Sequence, residues 1–240
     1  MGQLRVQLLR FAAVIVAGMW LMPSVRAQGT PPAPSAADGP VHIVTYVDLA
    51  TGAAGQGIEV LKRYRDGTRK QGGVLGVDVY QEIGRAGRFA IREAWRDAKA
   101  FEANGKALHL AQLNDGLKPL QVAPADQRRH DAYAMGTGTA AAGTTAVYVM
   151  THVDVPPPLL AELEPQLKTW AQASRKEAGA VVFDVLQQSS RRNHFTVVEG
   201  WQSAKAFEAH GVASAARTFR DKLGPMLGAL YDQRLYKLIR

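Results

Sequence analysis

The sequence contains two copies of one segment, and this repeat limits the possible fold more than any other feature. Residues 41–134 align with residues 147–240 without a gap, and about a third of the paired residues are identical. The strongest block pairs EAWRDAKAFEANG at 93–105 with EGWQSAKAFEAHG at 199–211. Two copies of a segment of roughly 100 residues indicate a duplicated domain, because solenoid repeats are usually 20 to 50 residues long.

Both copies show the same order of strand and helix patterns. In copy one we expect strands at 41–48, 74–82, 87–95 and 128–134, with equivalents in copy two that end in a strand at 234–240. Helical spacing is clearest in copy two, where the apolar face of the first helix carries Leu159, Leu160, Leu163, Leu167 and Trp170. The order βαββααβ is a split βαβ, or ferredoxin-like, plan of the α+β class.

Capping signals support these boundaries. Asp97 and Ser203 stand where the N-cap of the second helix falls, and we expect Gly105 and Gly211 to end that helix. Glycines at 73 and 179 follow the first helix, where a left-handed cap is expected.

The N-terminal region predicts export. Residues 1–27 hold no acidic group, carry two early arginines and a short apolar run, and end in Val-Arg-Ala, which is typical of a cleavable signal peptide. The alternative is an uncleaved membrane anchor. Residues 28–40 are rich in proline and small residues and predict an extended tether. We therefore expect a periplasmic or secreted protein that meets the membrane only through its signal peptide.

The charge of the chain argues against nucleic-acid binding. The net charge is +8, and three of the arginines responsible lie in the predicted signal peptide. The remaining basic residues are scattered among acidic ones and form no basic stripe with interleaved aromatic residues. We expect no nucleic-acid partner.

The repeat block resembles a known family. The pattern Glu-X-Trp, followed by X-X-Ala-X-Ala-Phe-X-Ala-His and by a helix that closes on Leu-X-Pro, is similar to the antibiotic biosynthesis monooxygenase domain of the dimeric α+β barrel superfamily. Copy two carries the whole pattern, whereas copy one has Asn104 in place of the histidine. Single-domain relatives pair two sheets across a dimer, so the resemblance implies an intramolecular barrel of two domains, 41–134 and 147–240, joined by a flexible linker at 135–146. A further homodimer stays possible.

His210 is the sharpest candidate for chemistry, because imidazole titrates near neutral pH and can act as a general base toward a phenol or quinol. The alternative is a helix-terminal histidine stabilised by the helix dipole, with little effect on folding stability. Glu199 is the second catalytic candidate, because burial raises the pKa of a carboxyl, although an ion pair with Arg85, Arg191 or a lysine is the competing interpretation for it and for Glu93.

Aromatic residues on the same strand face predict a wall for a planar substrate or, alternatively, ordinary core. The residues expected to contact the substrate are Trp201, Phe207, Trp95, Phe101, Asn104 and Glu93. No histidine pair stands at metal-binding spacing, and we expect no metal site and no cofactor. The tryptophan and axial histidine that haem-degrading relatives place in the helices align here with Asn104 and Asn114, and with His210 and Arg220, so haem is not expected.

These features predict a cofactor-independent monooxygenase that acts on a small electron-rich aromatic such as a quinol, with the better pocket in copy two. The alternative is a non-catalytic barrel that binds a small apolar ligand or a partner.

Overall fold

The structure is a computed structural model that describes residues 39–136 and 142–240. The predicted signal peptide at 1–27, most of the tether at 28–40 and part of the linker at 135–146 lie outside the described residues. Within the described part of the chain, no helix combines the length and the apolar character that crossing a bilayer requires.

Each copy folds as four strands and three helices in the order βαββααβ, which confirms the predicted fold. Copy one consists of β1 (Val41–Asp48), α1 (Ala54–Thr68), β2 (Val74–Glu82), β3 (Arg88–Trp95), α2 (Ala98–Asn104), α3 (Leu108–Leu117) and β4 (Asp126–Ala134). Copy two consists of β5 (Val147–Asp154), α4 (Leu160–Ser174), β6 (Ala180–Gln188), β7 (His194–Trp201), α5 (Ala204–Val212), α6 (Ser214–Leu223) and β8 (Asp232–Leu238).

The two sheets join edge to edge into one closed barrel with the strand order β1-β3-β2-β8-β5-β7-β6-β4. Two antiparallel seams connect the copies. In the first, β2 pairs with β8 so that Tyr80 lies opposite Leu238. In the second, β4 pairs with β6 so that His130 lies opposite Gln188. The barrel is therefore intramolecular, as the sequence predicts.

Strand alternation separates the barrel interior from the outer layers beneath the helices. Side chains of one parity fill the barrel, where apolar residues of both copies pack together, among them Val44, Tyr80, Tyr148, Met150 and Tyr236. Side chains of the other parity face outward and are covered by α1 and α3 in copy one and by α4 and α6 in copy two. The candidate residues of the repeat block belong to these outer layers.

Polar contacts inside the barrel also link the copies. Arg92 of β3 forms a largely buried ion pair with Asp184 of β6. Tyr46 and His152 occupy equivalent positions of the repeat, and the tyrosine hydroxyl lies 2.7 Å from His152 Nε2. Contact between equivalent residues places the pseudo-two-fold axis of the barrel at this pair.

The end of each copy packs on the other copy. The Arg175 guanidinium donates to the carbonyl oxygen of Ala134 at 2.6 Å, and the Arg65 guanidinium donates to that of Ile239 at 2.8 Å. Tyr133 of copy one packs against the outer core of copy two, and Ile239 packs against that of copy one. The two halves are thus fastened at both seams.

The two N-cap predictions and the predicted helix end at Gly105 are confirmed, whereas the other C-terminal predictions need two corrections. Asp97 and Ser203 cap the second helix of each copy by accepting from the backbone N–H of Ala100 and Ala206. However, that helix runs past Gly211 to Val212 in copy two. The other correction concerns Gly73 and Gly179. Both have positive φ, of 84° and 85°, but they lie in the turn before the next strand rather than at the helix cap.

Separating the halves tests the barrel. Expressed alone, residues 39–136 or 142–240 have two unpaired edge strands and an uncovered barrel face, so each half is expected to dimerise or aggregate. Light scattering after size-exclusion chromatography measures this, with the intact chain as control. Two monomeric halves that do not bind each other when mixed would show that the seams contribute little.

Candidate functional site

The candidate residues lie between the outward face of the sheet and the helices that cover it. In each copy the third strand carries the glutamate and the tryptophan of the repeat block at alternating positions, so both point to the helical layer. The short helix that follows is fixed at its start by the Asp97 or Ser203 cap, and its far end brings Asn104 or His210 into the same layer, where both are buried. The repeat therefore builds two equivalent centres.

The centre of copy one is a carboxyl held by a tyrosine. Tyr64 Oη donates to Glu93 Oε1 at 2.7 Å, and Asn104 Nδ2 donates to Tyr64 Oη at 3.4 Å. The Glu93 side chain is 2% exposed. Burial raises the pKa of Glu93 from 4.5 to about 7, although the hydrogen bond from Tyr64 opposes this rise. Near neutral pH the Glu93 carboxyl is therefore partly protonated and partly ionised.

The competing interpretation of Glu93 and Glu199 assigned each of them an ion pair. Among the described residues, no lysine or arginine contacts either glutamate. Arg85 instead lies 3.4 Å from Glu82. The interpretation of these glutamates as partners of Arg85, Arg191 or a lysine is thus wrong.

A cavity of about 520 Å³ opens beside the centre of copy one. Tyr64 and Glu93 lie on its wall, together with apolar residues of the sheet and of α3 and with a few polar side chains. The other lining residues are Thr45, Val47, Ile91, Leu110, Leu113, Asn114, Leu117, Lys118, Gln121, Pro124, Ala125 and Gln127. This volume and this mixture of surfaces are typical of a site for a small ligand.

Of the residues expected to contact a substrate in copy one, Glu93 lines this cavity, whereas Trp95, Phe101 and Asn104 do not. Trp95 is fully buried in a small core with Val41 and Ile43, and its ring packs edge-on against Phe101 at 6.2 Å between centroids. Neither aromatic residue lines the 520 Å³ cavity. Both belong to the core, which was the alternative interpretation of this aromatic pattern.

The centre of copy two is a buried histidine between two carboxyl groups. His210 is 3% exposed, and its Nδ1 lies 2.9 Å from Glu177 Oε2. Its Nε2 lies 3.6 Å from Glu199 Oε2, which also accepts from Trp201 Nε1 at 3.0 Å. The Trp201 indole stacks on the imidazole at 4.5 Å between centroids. His210 is therefore a packed core residue, and it also lies in the last turn of α5, as the alternative interpretation expected.

Electrostatics favour a neutral centre in copy two. Burial lowers the pKa of His210, although the Glu177 carboxylate opposes this shift. Burial also raises the pKa of Glu199 to about 7. A neutral imidazole donates from Nδ1 to Glu177, which leaves Nε2 as an acceptor facing Glu199.

Bulkier side chains fill in copy two the space that is open in copy one. Tyr64, Leu113 and Ala125 line the cavity of copy one, and the repeat places Trp170, Phe219 and Tyr231 at the equivalent positions. Trp170 and Phe219 stack at 4.1 Å between centroids. Phe207 and Tyr231 pack against the same core.

Copy two has a groove of about 540 Å³ on its outside, but this groove does not contain the candidate catalytic residues of that copy. His210 and Glu199 line neither the 520 Å³ cavity nor the groove on the outside of copy two, whereas Glu93 lines the cavity.

Sequence reasoning missed the partners of the two centres, Tyr64, Trp170 and Glu177. The repeat alignment does carry a signal for two of them. Tyr64 changes to Trp170 between the copies, as Asn104 changes to His210. Without the tyrosine hydroxyl, Glu199 accepts instead from Trp201. When two positions of a repeat differ together between the copies, their side chains are expected to be in contact.

Comparison with known proteins decides the family. The model of the antibiotic biosynthesis monooxygenase family matches residues 40–113 and 146–222, one segment in each copy. The chain belongs to this family. A search of curated protein sequences gave no match.

Solved structures of similar fold cover most of this chain. A proposed monooxygenase from Fusobacterium nucleatum superposes with a TM-score of 0.77 at 14% identity, over 84% of this chain and 93% of its own. A proposed monooxygenase from Lactobacillus acidophilus gives 0.71 at 12% identity, over 84% and 95%. An anthrone oxidase-like protein gives 0.65 at 13% identity, over 85% and 93%. At these identities the likeness shows the fold alone.

A shared fold does not determine the chemistry of a site, which depends on the residues that form it. Within residues 39–136 and 142–240, no three His, Cys, Asp or Glu side chains are grouped closely enough to hold a metal ion. The groups best placed for chemistry in the described part of this chain are the two buried glutamates, Glu93 and Glu199, and their hydrogen-bond partners.

The raised pKa of Glu199 has a measurable effect on stability. Between pH 4.5 and about 7 the folded protein keeps a proton on this carboxyl that the unfolded chain releases, so Glu199 lowers stability as pH rises through this window. Glu199→Gln removes that penalty. The variant should gain about 3 kcal/mol in unfolding free energy relative to the wild type between pH 4.5 and pH 8.

Urea unfolding of both proteins at several pH values measures this difference. Buried histidines such as His42 and His130 titrate in a neighbouring range with the opposite sign, because burial lowers their pKa to about 4. Their contribution is common to both proteins and cancels in the difference. A difference that stays constant with pH would mean that Glu199 titrates as an ordinary carboxyl.

Proposed function

We propose that this family member is a monooxygenase that oxidises a small electron-rich aromatic such as a quinol without a cofactor, and that the cavity of copy one is its active site. One observation supports the proposal most. Glu93, with a pKa raised to about 7, lies on the wall of a cavity of about 520 Å³ and is oriented by Tyr64. A titratable group of this kind in a concave apolar site is a candidate for general acid–base catalysis.

In the proposed reaction Glu93 acts as the general base. Its carboxylate removes a hydroxyl proton from the quinol, and the resulting anion is electron-rich enough to reduce dioxygen. One oxygen atom enters the ring and the other leaves as water, so that a quinol and dioxygen give a hydroxyquinone and water. A base with a pKa near the working pH is suited to this step, because it is ionised before the transfer and strong enough to hold the proton.

Neighbouring residues support this role. Burial and the Glu93 carboxylate raise the pKa of Tyr64, so its hydroxyl stays protonated and keeps donating to Glu93. Lys118 also lines the cavity, where its ammonium group favours a substrate anion. The apolar wall from β1, β3 and α3 excludes water from a flat ring.

The sequence-based assignment of His210 and Glu199 as catalytic is a rival proposal. It requires the packed aromatic residues around His210 to move apart and admit a substrate, because His210 lines neither the 520 Å³ cavity nor the groove of copy two.

The binding-only barrel is a second candidate. It is favoured by the closed centre of copy two, which has kept the fold and lost its open cavity. A protein in which neither half reacts would bind quinols in copy one and consume no oxygen.

Oxygen uptake by the protein with a panel of quinols and polyphenols tests these proposals, with no addition, added flavin and added haem as separate arms. Glu93→Gln keeps an acceptor for Tyr64 but cannot take a proton, so it should lower turnover by roughly 100-fold or more. The matched change in copy two, Glu199→Gln, should leave turnover nearly unchanged.

The opposite order, with Glu199→Gln and His210→Asn as the damaging changes, would move the active site to copy two. Quinol binding without oxygen uptake in any arm would favour the non-catalytic barrel.

We also propose export to the periplasm or the exterior, on the strength of residues 1–27. Mass spectrometry of the exported protein should give a chain that begins at or near Gln28, because the signal peptidase site precedes it. Membrane-bound protein that still carries residues 1–26 would contradict cleavage.

A further inference from the structure

The cavity of copy one has a buried floor and an open mouth. On the floor lie Glu93 and Tyr64, both buried, among apolar side chains of the sheet and of α3. At the mouth lie Asn114, Lys118 and Gln127, all exposed. A flat ligand that fills the cavity and reaches Glu93 therefore keeps its other end among the polar side chains of the mouth.

The two ends of the cavity carry opposite charges. Among the lining residues, Glu93 is the acidic one and Lys118 is the basic one. Lys118 directly follows the last residue of α3, and none of the ion pairs in the described part of the chain includes it. Asn114 stands one helical turn earlier on the same face. The mouth thus offers an ammonium group without an acidic partner and an amide beside it.

Copy two lacks this arrangement. Its residues equivalent to Asn114 and Lys118 are Arg220 and Gly224. The Arg220 guanidinium donates to the carbonyl oxygen of Gly211 in α5. Copy two also fills with bulkier side chains the region that is open in copy one. The mouth lysine and the open cavity therefore occur together, in the same copy.

We propose that the cavity of copy one selects an aromatic hydroxy acid, whose hydroxyl group lies beside Glu93 and whose carboxylate lies at the mouth against Lys118. This inference names a substrate class for the proposed active site, and it rests on the proposed function for the role of Glu93. The carboxylate accepts from the ammonium group and from the Asn114 amide. The ring packs on the apolar wall between the two ends.

The geometry also limits the shape of the ligand. Because Glu93 and Lys118 lie at opposite ends of the cavity, the hydroxyl and the carboxylate must lie at opposite ends of the ring system. A lysine at a helix C-terminus also interacts favourably with the helix dipole. The experiment therefore has to measure the choice between ligands rather than the stability of the protein.

Isothermal titration calorimetry at low salt with 6-hydroxy-2-naphthoate tests the proposal, and this ligand need not react. Two matched ligands isolate its charge and its shape. The amide 6-hydroxy-2-naphthamide has the same shape without the charge and should bind about 5-fold more weakly. The isomer 3-hydroxy-2-naphthoate has the same charge but adjacent groups, and it should also bind about 5-fold more weakly.

Two lysine variants locate the effect. Lys118→Met should remove the preference for the acid over the amide and leave the affinity for the amide unchanged. Its matched control, Lys222→Met, changes a lysine in the last turn of α6 in copy two and should alter neither affinity. Raising the salt concentration should weaken binding of the acid more than binding of the amide, because salt screens the charge pair.

Equal affinities of the acid and the amide in the unaltered protein would overturn the proposal, as would a preference that survives Lys118→Met or no binding of any of the three ligands. Oxygen uptake with neutral quinols separates this inference from the proposed function. Uptake without a preference for the acid would contradict the inference alone. A preference that depends on Lys118, without uptake of oxygen with any quinol, would support the inference and contradict the proposed reaction.

Discussion

The pairing of free strand edges across the repeat is the constraint on which the rest of the structure depends. Each copy alone is a four-stranded sheet with two edges, β2 and β4 in one half and β8 and β6 in the other. The β2–β8 and β4–β6 seams pair part of each of these four edges and enclose the apolar interior face of each sheet. The outer faces are left for the helices, and this fixes the place of both candidate centres.

The two centres differ because a few side chains set the volume beneath the helices. In copy one Tyr64 holds Glu93 at the wall of an open cavity. In copy two Trp170 takes the position of that tyrosine, stacks on Phe219 and closes the same region around His210. The glutamate and its raised pKa are common to both halves, so the difference between them lies in access rather than in acidity.

Local features of the fold were predictable because the repeat allowed each pattern to be checked twice. Strand alternation, the caps at Asp97 and Ser203 and the order of elements all follow from short stretches of sequence. The location of the cavity was not predictable in this way. It depends on Tyr64, Leu113 and Ala125, which lie far apart in the chain and converge only in the folded layer. His210 was identified as a candidate because an imidazole can act as a base. Its burial was not predictable, because it depends on side chains such as Trp170 that are distant in the chain.

The contact between Tyr46 and His152 shows what covalent fusion makes possible. In a symmetric homodimer, a residue on the two-fold axis meets its own copy, so only self-compatible pairs such as two tyrosines or two histidines can form there. Here one gene encodes both sides of the axis, and a phenol donor meets an imidazole acceptor at 2.7 Å. Each half has thereby been released from the requirement of self-complementarity, and a substitution on one side no longer imposes its mirror image on the other.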